Sequence, residues 1–153
     1  MSTTPSGGYE QLLLGNQLCF PLYAAARLTN QLYHPHLSPL GITYPQYLVL
    51  LVLWEQDAQA VTDIGKRLLL DTNTLSPLLK KLQQKGLVER KRSTHDERQV
   101  VVQLTKAGWQ MREKVADIPR LMLHQLALPS ADAAEVAAFR SQLQALVAWL
   151  QRQ

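Results

Sequence analysis

Residues 61–104 constrain the fold more than any other stretch. "VTDIGKRLLLD" reads as a short helix capped by Thr62. "DTNTLSPLLKKLQQKGL" reads as a second helix, with Asp71, Asn73 and Thr74 as possible N-caps and Leu75, Leu78, Leu79 and Leu82 on its buried face. Pro77 fits only if that helix begins close before it, and Gly86 is a good C-terminal stop. "LVERKRS" and "RQVVVQL" then read as two β-strands around the polar turn "THDE". Two short helices joined by a tight polar turn, followed at once by a hairpin, make a winged helix-turn-helix.

The flanking sequence is helical. Asn16 is placed to cap a first helix running to about Tyr33, which "HPHLSPLG" then breaks with two prolines and a glycine. In "GITYPQYLVLLVLWEQ", Thr43 and Gln46 form a capping box and Pro45 sits in the tolerated first turn. Apolar residues cover nearly every face of this second helix, which makes it central and buried. Thr105 caps "KAGWQMREKVADIPRLMLHQL", bent or ended near Pro119. A final helix begins near Ser130, and its Val136, Phe139, Leu143, Leu146 and Leu150 form an apolar seam suited to a partner helix. Tyr23, Tyr47, Trp54, Trp109 and Trp149 are expected to pack in cores. The expected class is mainly α with a small β-hairpin. Residues 1–15 form a disordered tail, 43–105 the winged helix-turn-helix, and 16–42 with 106–153 the dimerisation helices, all in one compact chain.

The 153 residues amount to one domain, and at 46% hydrophobic they can build a real core. No apolar run approaches a membrane span, and "MSTTPSGGYE" lacks the basic flank and apolar stretch of a secretory signal. One cysteine cannot make an intrachain disulfide, so a reducing, cytoplasmic setting is expected. The net charge is +4, and its location matters more than its size. Lys80, Lys81, Lys85, Arg90, Lys91, Arg92 and Arg98 face only Glu89, Asp96 and Glu97 in the same stretch, which carries the whole surplus. A basic patch on a near-neutral body points to a polyanion bound by one surface.

That surface is the candidate reader of double-stranded DNA. Thr72, Asn73, Thr74 and Ser76 offer short side chains for base edges and phosphates at the start of their helix. Lys80 and Lys81 suit phosphates, and Arg90, Lys91 and Arg92 flank the backbone. The other chemical candidate is Cys19 in "QLCFPLYAAARL". Pro21 lacks an amide proton, so regular helix bonding begins only around it. Cys19 then lies in a first turn, where free amides favour a thiolate. Its neighbours Leu18, Phe20 and Leu22 suit a hydroperoxide with a greasy tail. His34, His36, His95 and His124 are scattered, so no metal is expected, and no cofactor.

The stretches "QLCFPLYAAARL", "LTNQLYHPHLSPLGITYPQYLVLLVLWE", "DTNTLSPLLKKLQQKGLVERKRS" and "DERQVVVQLTKAG" together resemble the MarR family of bacterial transcription regulators. Within it they resemble the organic hydroperoxide regulators of the one-cysteine type, since "IPRLMLHQL" holds no second cysteine. The resemblance implies a homodimeric repressor on a palindromic operator, released when an organic hydroperoxide oxidises Cys19. It places the family's hydrogen-bonding tyrosines on Tyr33 and Tyr44, contributed by the partner subunit. On the wing it places the minor-groove arginine on Arg98, oriented by Asp96. The oxidised thiol then has three open routes: a mixed disulfide with a low-molecular-weight thiol, a bond to a backbone nitrogen, or a bond to Cys19 of the other subunit.

Three other readings compete. A MarR-type repressor of this fold could sense a small anionic aromatic ligand, with Cys19 incidental. A thiol peroxidase would need a resolving cysteine and leaves the basic wing unexplained; the expectation is no enzyme. A winged-helix protein-interaction module would not bind duplex DNA in a salt-sensitive way.

Overall fold

The computed structural model describes residues 8–93, 99–126 and 132–153. Among these residues seven α-helices and three short strands follow in the order α1 (Cys19–Leu37), α2 (Tyr44–Glu55), β1 (Gln59–Ala60), α3 (Val61–Leu68), α4 (Thr72–Gln84), β2 (Val88–Arg92), β3 (Val100–Leu104), α5 (Lys106–Val115), α6 (Ile118–Leu126) and α7 (Ala133–Leu150). They fall into two compact units, residues 1–113 and 114–153. No single described helix is long and apolar enough to cross a membrane.

The first unit is built around α2. Its sequence is apolar on all sides, and the structure packs α1, α3 and α4 against it. Val49, Leu50 and Leu53 are completely buried, joined by Ile64 of α3 and Leu75, Leu79 and Leu82 of α4. Each such side chain removes apolar surface worth about 1.5–3 kcal/mol from water. The expected capping box at the head of α2 is present, with the Thr43 amide donating to Gln46 Oε1 at 3.1 Å.

Helix boundaries differ from expectation at several points. Asn16 does not cap α1. It closes one of two exposed 3-10 turns over residues 10–16 and donates to Glu10 O at 2.7 Å. The helix instead starts at Cys19 and runs through Pro35 to Leu37. Pro35 removes one backbone bond, but Leu37 beyond it is buried and the packing against α2 carries the helix on. His34 and His36 therefore lie in the last helical turn and not in a linker. A 3-10 turn at Ser38–Leu40 then ends at Gly41, whose φ of 71° is left-handed. Thr62 does not cap α3, which begins one residue earlier. Of the three candidate caps for α4, Asp71 is the one used: its carboxylate accepts from the Thr74 amide at 2.7 Å. Pro77 lies inside α4.

The sheet has one strand more than expected. β3 is central, pairing antiparallel with β2 from Val88↔Leu104 to Arg92↔Val100 and with β1 at Gln59↔Val102. Asp57 Oδ1 accepts from the Leu104 amide at 2.8 Å and fixes the end of β3. Beyond the paired residues, the Ser93 amide donates to Gln99 O at 2.8 Å. The wing tip, including His95, Asp96 and Arg98, lies outside the described residues.

Thr105 caps α5 as expected, its hydroxyl accepting from the Gly108 amide at 3.0 Å and donating to Gly86 O at 2.6 Å. Gly108 can only be glycine. A Cβ there would sit 2.1 Å from Leu87 O. Trp54 is buried, and its indole N–H donates to Gly108 O at 3.1 Å.

In the second unit the helix break falls between Val115 and Ile118, so Pro119 lies just inside α6. Asp132 caps α7 in a box with Glu135, and Ser130 lies outside the described residues. None of α7's side chains is buried; Phe139, Leu143, Val147, Trp149 and Leu150 are exposed. In the first unit Leu18, which precedes α1, and Phe20, Leu22, Tyr23 and Leu28 of α1 are exposed as well. Tyr23, Trp109 and Trp149 are thus surface residues in the single chain and not core residues.

Candidate functional site

Cys19 is the first residue of α1 and is exposed, with Pro21 two positions on. The thiol therefore stands where the helix still has unbonded amides. Tyr33 lies fourteen residues further along the same continuous helix, about 21 Å away at ~1.5 Å rise per residue.

Tyr33 does meet Tyr44. Their ring centroids are 4.5 Å apart, with Tyr44 mounted on the first residue of α2. A third tyrosine belongs to the group. Tyr47 lies 5.9 Å from Tyr33 and 6.3 Å from Tyr44, and its other edge meets Trp54 at 6.4 Å. Sequence reading assigned Tyr47 to the core, and its residue is indeed buried. Its i, i+3 spacing from Tyr44 was the available signal that it shares that face. Burial raises the pKa of all three phenols, and their mutual proximity adds to this for Tyr33 and Tyr47; Tyr47 is pushed up to about 12. At neutral pH these hydroxyls keep their protons and can donate to an anion.

The geometry fixes one point about this pair of features. A thiol at the head of α1 cannot touch, in its own chain, tyrosines at the foot of the same helix. Any pocket that holds Cys19 against Tyr33 and Tyr44 takes them from two chains.

The candidate DNA face is continuous in the first unit. Thr72, Asn73 and Thr74 are exposed in the first turn of α4, Ser76 is half-buried beside them, and Lys80 and Lys81 are exposed further along. The Asp71 carboxylate is held below its usual range by the Thr74 amide, so the cap stays charged. On β2, Arg90 donates to Gln83 Oε1 of α4 at 2.7 Å, Lys91 pairs with Glu89 at 2.9 Å, and Arg92 is exposed. Between α4 and the wing root lies a cavity of about 250 Å³, lined among others by Thr62, Thr72, Ser76, Arg90 and Gln99. Lys85 departs from the basic face. Although the residue is exposed, its ammonium donates to Gly41 O and to Gln46 Oε1. Among the described residues no group of three or more His, Cys, Asp or Glu could hold a metal ion.

Comparison with known proteins agrees with this architecture. The family described as transcriptional regulator SarA/Rot matches residues 31–118. The organic hydroperoxide resistance transcriptional regulator of Bacillus subtilis is 49% identical over 115 residues, which span 75% of this chain and 78% of that protein. The reduced form of AbfR, a Staphylococcus epidermidis protein, solved bound to DNA, superposes with a TM-score of 0.78 at 39% identity, covering 94% of this chain and 96% of that one. The disulfide form of AbfR superposes with a TM-score of 0.61 at 41% identity, covering 94% and 93%. With a winged helix-turn-helix, a lone thiol heading α1 and this degree of identity, the chain belongs to the MarR family of transcription regulators, in its organic hydroperoxide regulator subgroup.

Proposed function

We propose that this protein is a cytoplasmic, DNA-binding transcriptional repressor that senses organic hydroperoxides through Cys19 and then releases its operator. The observation that carries the reading is the layout of α1: an exposed lone thiol at its head and a cluster of protonated phenols at its foot. The protein acts as a homodimer, in which Cys19 of one chain meets Tyr33 and Tyr44 of the other. The exposed apolar faces of α1 and of α7 supply the contact surface.

The chemistry is stoichiometric and not catalytic. The Cys19 thiolate attacks the distal peroxide oxygen; the O–O bond breaks, an S–O bond forms, and the alkoxide leaves as alcohol after taking a proton. The sulfur is oxidised to sulfenic acid and the hydroperoxide is reduced. A low-molecular-weight thiol then condenses with the sulfenic acid, releasing water and leaving a mixed disulfide. The tyrosine hydroxyls hold the thiolate by hydrogen bonds in the reduced state, and the added bulk displaces them.

DNA is read by Thr72, Asn73, Thr74 and Ser76, with Lys80, Lys81, Arg90, Lys91 and Arg92 on phosphates. Arg98, oriented by Asp96, enters the minor groove at the wing tip. Two such readers in a dimer lie about one DNA turn apart, roughly 34–36 Å.

A second reading, an anionic aromatic inducer, is favoured by the cavity beside Arg90. One experiment separates the two. Occupancy of a duplex from the protein's own upstream region is titrated against cumene hydroperoxide, with free cysteine present, for wild type, Cys19→Ser, Tyr33→Phe and Tyr44→Phe. All four should bind the reduced-state operator. Cys19→Ser should stay bound at every dose, and each phenylalanine variant should release more slowly. Release of the serine variant at the wild-type dose refutes the thiol switch.

A further inference from the structure

The basic stretch between α4 and the wing contains one exposed lysine whose ammonium is bonded to another part of the fold. Lys85 is the C-cap residue of α4, the DNA-reading helix. Its ammonium donates to the backbone carbonyl of Gly41 and, at 3.3 Å, to Gln46 Oε1. Both acceptors belong to the sensing end of the molecule. Gly41 lies in the short turn that joins the helix bearing Tyr33 to the helix bearing Tyr44. Gln46 is two residues from Tyr44, is 1% exposed, and closes the capping box that fixes the first turn of α2.

We infer that Lys85 is the positioning residue through which the state of the Tyr33–Tyr44 pocket sets the placement of the recognition helix. This deepens the proposed function and rests on it. The path is short and consists of named bonds. When oxidation drives Tyr44 from its place, the first turn of α2 on which it is mounted must shift. The Gln46 amide and the Gly41 carbonyl move with that turn. A charge-assisted bond is strong and directional, so Lys85 follows and carries the end of α4 with it. Three features suit the residue to this task. It is at a helix C-terminus, where a cation is favoured by the helix dipole. Its flexible stem links the end of α4 to a turn 44 residues away in sequence. The helix end it holds is sharply defined, since Gly86 turns the chain at φ 70° and the Leu87 amide returns to Leu82 O at 3.0 Å. Lys85 is not among the phosphate contacts proposed above, and its ammonium is bonded to the protein.

The test compares wild type, Lys85→Met and Lys85→Arg as full-length protein. Anisotropy on the upstream duplex is measured before and after cumene hydroperoxide with free cysteine, and sulfenic acid is trapped with dimedone. Lys85→Met keeps the length of the stem and removes the donors. Its reduced form should bind DNA within about 3-fold of wild type with an unchanged salt slope, since no phosphate contact is lost. Its Cys19 should be trapped at the wild-type rate. The ratio of oxidised to reduced Kd, which in coupled systems is typically about 5–150-fold, should collapse towards unity. Lys85→Arg should restore most of the ratio. If Lys85→Met does not fold, Lys85→Gln is used in its place with the same expectations. A full wild-type ratio in the donor-less variant overturns the inference. So does weak reduced-state binding with a shallower salt slope, which would make Lys85 a phosphate contact. If wild type itself is not released by hydroperoxide, the thiol-switch reading has failed, which is a different result from either of these.

Discussion

Gly108→Ala is the substitution whose outcome the structure specifies most sharply. The new Cβ would lie 2.1 Å from Leu87 O, 3.0 Å from Leu104 Cδ2 and 3.2 Å from the Leu87 carbonyl carbon. The nearest obstacle is backbone, so no side-chain rotation relieves it. To reach an ordinary contact the first turn of α5 must retreat from Leu87 by about 1 Å or more. Three bonds span that gap or depend on it: Thr105 N–H to Leu87 O at 3.1 Å, Gly108 N–H to Thr105 Oγ1 at 3.0 Å, and the Trp54 indole to Gly108 O at 3.1 Å. Losing two of them costs about 1–3 kcal/mol, and residual overpacking adds about 1–3 kcal/mol. The sum is about 2–6 kcal/mol, a large share of the stability of a domain this size. Urea unfolding followed by circular dichroism measures it. Gly15→Ala is the control, because a Cβ there meets nothing within 4 Å; it should lie within about 0.5 kcal/mol of wild type. Since Leu87 leads directly into β2, the surviving folded fraction should also bind operator more weakly. A Gly108→Ala protein as stable as the Gly15→Ala control would refute this account of the wing root.

Two further outcomes follow from backbone and burial. Leu69 ends α3 at φ 55° with its side chain half exposed, so Leu69→Gly should raise stability by about 0.5–1 kcal/mol, read as a higher urea midpoint with an unchanged slope. The folded-state pKa values of Tyr33, Tyr44 and Tyr47 are raised, so the fold favours the protonated phenol. That stability is fully present below pH ~10, the ordinary tyrosine value, and is lost as pH climbs through the folded values, about 12 for Tyr47. Thermal melts between pH 9 and 12 should show the loss, and Tyr47→Phe should flatten it.

The parts of the fold legible in sequence were those decided locally. The Thr43–Gln46 box, the Thr105 cap, the two wing strands and the centrality of α2 each follow from residues within a few positions of one another. The misses have a common cause in tertiary packing. Pro35 looks like a helix end, yet burial of Leu37 outweighs one lost backbone bond. β1 is two residues long and has no period to detect. Tyr23, Trp109 and Trp149 are apolar enough for a core, but hydropathy alone does not distinguish a chain's interior from an exposed apolar surface. The candidate site divides the same way. Residue type and placement singled out Cys19, the family resemblance pointed to Tyr33 and Tyr44, and the i, i+3 neighbour Tyr47 was within reach. Lys85 was not, because its partners at Gly41 and Gln46 are far off in sequence and counting charges treats every lysine as facing solvent.

The polar groups of α2 explain how one helix can serve both sensing and reading. The middle of α2 is apolar on all sides, so it behaves as a packed rod, and its few polar contacts sit at its ends. At the N-terminal end Tyr44 faces Tyr33, and Gln46 receives Lys85 from the recognition helix. At the C-terminal end Trp54 holds Gly108 at the wing root, and Glu55 pairs with Arg67 of α3. The end of α4 and the first turn of α5 are therefore both bonded to the rod that carries Tyr44, at opposite ends. Close-packed interiors transmit displacement because they have few voids to absorb it. In the proposed switch, a shift imposed at Tyr44 passes to the C-terminal end of α4 through Lys85. That link is polar and is lost with a single donor. Removing the Lys85 donors should thus uncouple the C-terminal end of α4 from the state of the Tyr33–Tyr44 pocket.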